Sequence, residues 1–226
     1  MGLASEIPYA DSEKIKVMYN LPDRQYIDQI RLYRDDEFSG FDSAKLNIVF
    51  TGMIYATQTL NTLIGALRLL NDTVRNCIIL HYYGDASSEV TREFSEAGII
   101  ENLIDHGRVS KGEAVNALWH ADLLYSVIHN DVVASSNGVK GIITTKIFDY
   151  LITGKPILNI APDEAEIRKL ISKMNLDNCL TYNSSQINEI KTCIQGLIQA
   201  KEKTYPEMQL LTWDDRYQEI LSEIEG

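Results

Sequence analysis

Short, almost unbroken apolar runs alternate along this chain with longer stretches whose apolar residues recur every three or four positions. LNIVFTG (46–52) is such a run, ending in glycine, and QTLNTLIGALRLLND (58–72) follows it with helical spacing, which predicts a strand, a turn and a helix. NCIILHYYGD (76–85) repeats the strand-then-glycine pattern. SEVTREFSEAG (88–98) predicts a helix stopped by glycine, and NLIDHG (102–107) a short strand. Ser110 and Glu113 have capping-box spacing ahead of the helix AVNALWHA, and DLLYSVI (122–128) predicts the next buried strand.

Sixteen mostly small or polar residues, His129 to Thr144, separate that strand from the helix TKIFDYLIT, which Gly154 closes before Pro156 opens the strand PILNI. Loops of that length inside a compact domain are usually functional or mobile. A helix (DEAEIRKLISKMN), a strand (NCLTY), a helix (SSQINEIKTCIQGLIQAKEK) and an amphipathic terminal helix (WDDRYQEILSEIE) complete the pattern. About six strands alternating with helices predict an α/β fold: a doubly wound, mostly parallel, Rossmann-like sheet, with ligands outside the carboxyl ends of its strands. Residues 1–45 stand apart from the alternation; KIKVMYNLPDRQYIDQI holds a strand-like run and an Asn-Leu-Pro-Asp turn signal, and the segment reads as a linker. The expected organisation is therefore linker 1–45, Rossmann-like domain 46–205 and closing helix 206–226.

Composition narrows the function. At 226 residues and 45% hydrophobic, the chain suffices for one large domain and is too short for two full α/β domains. A net charge of -11 opposes general attraction to nucleic acid or to an anionic membrane, yet a helix N-terminus with one or two cations still binds a small anion. No apolar run approaches the roughly 20 residues that span a bilayer, and the opening MGLASEIPYADSEK lacks the apolar stretch of a signal peptide, so the expected location is the cytoplasm. Cys77, Cys179 and Cys193, odd in number and widely spaced in apolar segments, read as buried thiols rather than disulfides or zinc ligands. His81, His106, His120 and His129 share no metal-ligand spacing, and neither GxSxG, a P-loop nor GxGxxG occurs. Neither metal nor cofactor is expected, and a nicotinamide dehydrogenase is disfavoured.

Candidate chemistry concentrates in TTKIFDYLITGKPIL (144–158). Thr144 and Thr145 stand where the helix cap and first turn belong, so free N–H groups and the positive dipole end face out of the sheet, where a diphosphate fits. Lys146 opposes the macrodipole in that first turn, a penalty that a bound anion reverses. Asp149, about one turn further in, is placed to accept from ribose hydroxyls, although Thr145 serves equally as a plain cap and Asp149 as a favourable charge for the dipole. Gly52, after the first strand, lets backbone approach a phosphate or simply makes a tight turn.

IVFTGMIY, ILHYYGD, HGRVSKGEAVNALWHADLLY and above all TTKIFDYLITGKPIL, in this order, resemble the carboxyl-terminal, donor-binding domain of glycosyltransferases built from two facing Rossmann-like domains, most of all the large retaining group that uses nucleotide sugars. The likeness covers residues 14 to 224, with KIKVMYNLPD resembling the interdomain linker and TWDDRYQEI the closing helix. It implies half an enzyme: the nucleotide diphosphate sugar held here, without metal, and the acceptor in an absent domain or partner subunit, through which alone a membrane surface would be approached. It gives phosphate contacts to Gly52, Thr144, Thr145 and Lys146, ribose to Asp149, and the base to Arg108 and Val109, with Gly84, Asp85 and His129 lining the cleft. Lys140 and Arg108 are further cations for the departing diphosphate. The residues alone leave Arg108 as an exposed side chain, Val109 as core and Asp85 as a helix cap.

Three positions depart from the resemblance. Gly141 stands where the group has its first acidic residue, Met53 where an arginine often follows the glycine, and Gln58 where a lysine comes five residues later. The catalytic residues therefore stay unassigned. The leading expectation is a transferase of polysaccharide or glycoconjugate synthesis. Two rivals are a non-catalytic nucleotide-sugar-binding or scaffolding subunit, and a nucleotide-sugar 2-epimerase, whose histidine and glutamate chemistry has no counterpart here.

Overall fold

The computed structural model describes residues 19, 21–34, 37–54, 60–128, 143–200, 212, 214, 215, 217 and 218. The strands are β1 (Leu46–Thr51), β2 (Ile78–Tyr83), β3 (Leu103–Gly107), β4 (Leu123–Val127), β5 (Ile157–Ile160) and β6 (Cys179–Tyr182). They form one sheet in the order β3-β2-β1-β4-β5-β6, every pair parallel. The helices are α1 (Arg24–Leu32), α2 (Asn61–Arg68), α3 (Asp72–Arg75), α4 (Ser87–Glu96), α5 (Lys111–His120), α6 (Lys146–Thr153), α7 (Glu166–Lys173) and α8 (Ile187–Gln199).

A parallel sheet with helices on both faces buries both sides of each strand, which is why β1, β2, β4 and β5 read as mostly apolar runs without polar alternation. Leu46, Ile48 and Phe50 of β1 pack on one face with Leu63 and Leu67 of α2, Phe94 of α4 and Ile190 of α8. Val49 points the other way, toward Leu118 of α5, Ile147 and Leu151 of α6 and Ile167 of α7. The capping box predicted for Ser110 and Glu113 is formed at the start of α5.

The segment expected to be only a linker contains helix α1. Asp23 caps it by accepting from Tyr26 N–H, and Ile27 and Ile30 lay it against Val115, Trp119 and Ile152 as a third layer outside α5 and α6. The Trp119 indole N–H donates to the Ile30 carbonyl at 3.0 Å, fixing the helix in place. Periodicity across nine residues between a proline turn and a charged run was too short a signal for this helix. Of the three cysteines, all free, only Cys179 is fully buried; Cys77 and Cys193 are half-buried. Among the described residues no helix is long and apolar enough to cross a membrane.

Candidate functional site

β1 and β4 are neighbours in the sheet but not in sequence, so the strand order reverses between them and their carboxyl ends form the crevice where ligands bind in such sheets. β1 ends at Thr51 and turns sharply at Gly52, whose φ of 96° lies in the left-handed region that favours glycine. Gly52 N–H donates to the Tyr83 carbonyl at 2.7 Å, and the Gly52 carbonyl accepts from the Tyr82 hydroxyl at 3.3 Å, so the ends of β1 and β2 are tied together. Gly84 lies directly against this turn: a Cβ there would strike the Gly52 carbonyl oxygen and the Tyr82 hydroxyl.

Helix α6 follows a parallel strand, so its N-terminus returns to the same end of the sheet. Thr145 occupies the cap position with helical backbone angles and no side-chain cap bond. Ile147 and Phe148 N–H groups donate back to the Thr144 and Thr145 carbonyls, whereas those of Thr145 and Lys146 have no backbone acceptor among the described residues. The buried Thr144 Oγ1 also has no hydrogen-bond partner. Among the described residues, two donors and a hydroxyl are thus without an acceptor or partner.

Lys146 crosses from α6 to β1. Its Nζ lies 3.5 Å from the Met53 carbonyl oxygen and 4.5 Å from the Phe50 ring centroid, beside Gly52. Among the described residues no carboxylate pairs with it, and burial lowers its pKa to about 8. One turn on, the fully buried Tyr150 accepts from Thr51 N–H at 2.9 Å and locks the same helix face to the end of β1. A partly desolvated cation, free N–H groups and a side-chain-free turn therefore converge at the switch point.

Asp149 is half-buried on the neighbouring face of α6. Its Oδ1 accepts from the Tyr26 hydroxyl at 2.6 Å, and Lys111 Nζ donates to the same hydroxyl at 3.0 Å. Burial raises the Asp149 pKa, while the Tyr26 hydrogen bond and Lys111 oppose the rise. Arg108 is exposed and stands 4.0 Å from Asp85, itself exposed, while Val109 packs partly into the core beneath α5 and α6. Asp85 makes no cap bond: Ala86 holds the cap position of α4, and its N–H donates to the Tyr82 hydroxyl.

The expected residues therefore fall into two groups. Gly52, Gly84, Thr144, Thr145 and Lys146 gather at the switch point, and Arg108, Val109 and Asp85 line the ends of β2 and β3 beside it. Asp149 faces α1. His129, Lys140, Gly141, Gln58 and Trp213 lie outside the described residues. Sequence reasoning missed Tyr26, Lys111, Tyr82 and Tyr150. The four-residue step from Lys146 to Tyr150 signals a shared helix face, but Tyr26 and Lys111 approach Asp149 only through tertiary packing.

No protein-family model and no curated protein matches the sequence. Solved structures match in fold. WaaG, a glycosyltransferase involved in lipopolysaccharide biosynthesis, aligns over 87% of this chain and 52% of its own at a TM-score of 0.58 and 14% identity. Anabaena Alr3699/HepE, solved with UDP and glucose, aligns over 95% of this chain and 54% of its own at 0.58 and 16%. The chain shares its fold with part of each of these structures. The lipopolysaccharide outer core galactosyltransferase WaaB aligns over 95% of this chain and 57% of its own at 0.55 and 14%, so the chain spans about half the length of these three transferases.

Proposed function

We propose that this chain is the donor-binding domain of a nucleotide-sugar glycosyltransferase of polysaccharide or glycoconjugate synthesis. The observation that carries the reading is Lys146 Nζ held beside Gly52, at a helix N-terminus whose first N–H groups have no backbone acceptor among the described residues. Departure of a nucleoside diphosphate leaves negative charge on its outer phosphate, and fixed donors with an already desolvated ammonium stabilise that charge without reorganising. Thr144, Thr145 and Gly52 supply the remaining phosphate contacts, Asp149 the ribose contact, and Arg108 and Val109 the walls for the base. The acceptor then belongs to a second domain or subunit, the sugar is transferred in the cleft between them, and retention of the anomeric configuration follows the resemblance described above. No metal takes part in this reading, and the cytoplasm is its proposed setting.

Calorimetric titration with UDP, UDP-glucose and UDP-galactose tests it. Binding of one nucleotide that weakens at least tenfold in Lys146→Ala supports the site; absence of binding to a wider panel of nucleoside diphosphates overturns it. A second reading, a nucleotide-sugar-binding subunit without chemistry, draws support from Met53, 46% exposed at the position where the resembled group often has an arginine. Tight nucleotide binding without sugar hydrolysis or transfer in any reconstituted complex would favour it.

A further inference from the structure

One row of polar side chains crosses the sheet inside an otherwise apolar layer. On the face that packs against α6 and α7, β4 and its continuation present Leu124, Ser126 and Ile128, while β5 and its continuation present Ile157, Asn159 and Ala161. Ser126 and Asn159 are register partners on these parallel strands, so their side chains stand side by side on that face. Both residues are 0% exposed, and neither Ser126 Oγ nor Asn159 Oδ1 has a hydrogen-bond partner among the described residues. Asn159 Nδ2 donates at 3.4 Å to Thr181 Oγ1, its register neighbour on β6, and Thr181 donates in turn to the Cys179 sulfur. The acceptor end of the Asn159 amide is therefore the end left over.

A hydroxyl and an amide oxygen buried without partners forfeit the hydrogen bonds that solvent gives them in the unfolded chain, and native interiors keep very few such groups. These two do not bond to each other. The short serine side chain between Leu124 and Ile128 leaves the space that a longer one would fill, and a small space lined by polar atoms takes up water where an apolar one stays dry. We propose that Ser126 and Asn159 form a binding site for one ordered water molecule, held between β4 and β5 beneath α6 and α7. The water accepts from the Ser126 hydroxyl and donates to Asn159 Oδ1, which extends the chain of bonds from Thr181 on β6 across to β4. Since β4 forms one wall of the switch point, this water fixes the spacing of that wall from β5. The inference does not depend on the nucleotide-sugar reading.

The first test is a crystal structure of the full chain at a resolution that shows ordered water. A density peak about 2.7–3.0 Å from both Ser126 Oγ and Asn159 Oδ1 is expected, and in Ser126→Ala that peak weakens or disappears. A direct bond between the two side chains, a main-chain partner for either, no density between them, or a peak unchanged in Ser126→Ala overturns the proposal. The second test is urea denaturation of Ser126→Ala, Asn159→Leu and the double variant. A water that both residues hold is lost with either, so the rise in the unfolding equilibrium constant for the double variant is expected to fall short of the product of the single rises by about fivefold. Effects that multiply to within about twofold overturn the shared water. If Asn159→Leu fails to fold, the paired crystal structures of the natural sequence and Ser126→Ala still decide the question.

Discussion

If Lys146 holds the donor phosphate as proposed, its depressed pKa makes nucleotide binding titrate in an accessible range. With a pKa of about 8 in the free protein, Lys146 is roughly 90% protonated at pH 7 and roughly 10% at pH 9. Binding a diphosphate beside Gly52 supplies the missing counter-charge and raises that pKa, so the complex holds a proton that the free protein has lost. Affinity is therefore full below pH 8 and declines above it, by about tenfold between pH 7 and pH 9, or about 1.4 kcal/mol. The second ionisation of a phosphate lies near pH 6, so the ligand keeps a nearly constant charge across this window. Calorimetry of UDP binding at pH 7, 8 and 9, in two buffers of different ionisation enthalpy, reads both the affinity and the proton uptake. In Lys146→Met the affinity is lower and flat with pH, which assigns the titration to Lys146 rather than to any other group of similar pKa. A natural-sequence profile as flat as that of the variant refutes the assignment of Lys146 to the phosphate.

Three further outcomes are expected. Gly84→Ala drives a methyl group into the Gly52 carbonyl and the Tyr82 hydroxyl, costing about 1–3 kcal/mol in urea denaturation and loosening the phosphate turn, so UDP affinity falls with stability. Tyr150→Phe leaves the Thr51 N–H without its buried acceptor and costs about 1–3 kcal/mol in the same assay. His81 is buried, donates from Nε2 to Asn47 Oδ1 and accepts at Nδ1 from His106 Nε2, and burial followed by the facing His106 lowers its pKa to about 4. Because the unfolded chain takes up that proton near pH 6.5, stability is intact above pH 6.5 and falls as the pH drops toward 4; about 2 kcal/mol is lost by pH 5, and His81→Gln removes that part of the loss in denaturant titrations at pH 7.5 and 5.

Most of the sheet was legible because a parallel sheet buried on both faces writes each strand as a short apolar block, and its glycine turns punctuate the blocks. The front of α6 was legible for a different reason. Lys146 sits where helix stability disfavours a cation, and a residue that opposes its own local environment points to a ligand. Helix α1 was illegible because its stability comes from Ile27, Ile30 and the Trp119 hydrogen bond rather than from a long periodic pattern. Asp149 was legible as a carboxylate one turn into a helix, but its partners were not, since Tyr26 lies 123 residues away in sequence.

That long-range contact also changes what the segment before β1 does. The Tyr19 hydroxyl donates to Glu166 at 2.8 Å, Arg24 pairs with Asp215 at 2.7 Å, and Asp215 accepts from both the N–H and the hydroxyl of Thr212. The segments that approach and leave the sheet domain are thus joined to each other at the same end of α1 that presents Tyr26 to Asp149. Solvent screens an exposed ion pair such as Arg24 with Asp215, so it orients the two segments more than it stabilises the fold. The apolar contacts of Ile27 and Ile30 supply the stability, and they hold Tyr26 within reach of the carboxylate. A shift of α1 by even 1 Å would weaken the 2.6 Å Tyr26–Asp149 bond. The setting of Asp149 and the placement of the connecting segments are therefore one mechanical problem in this chain, solved by a helix that local sequence pattern does not announce.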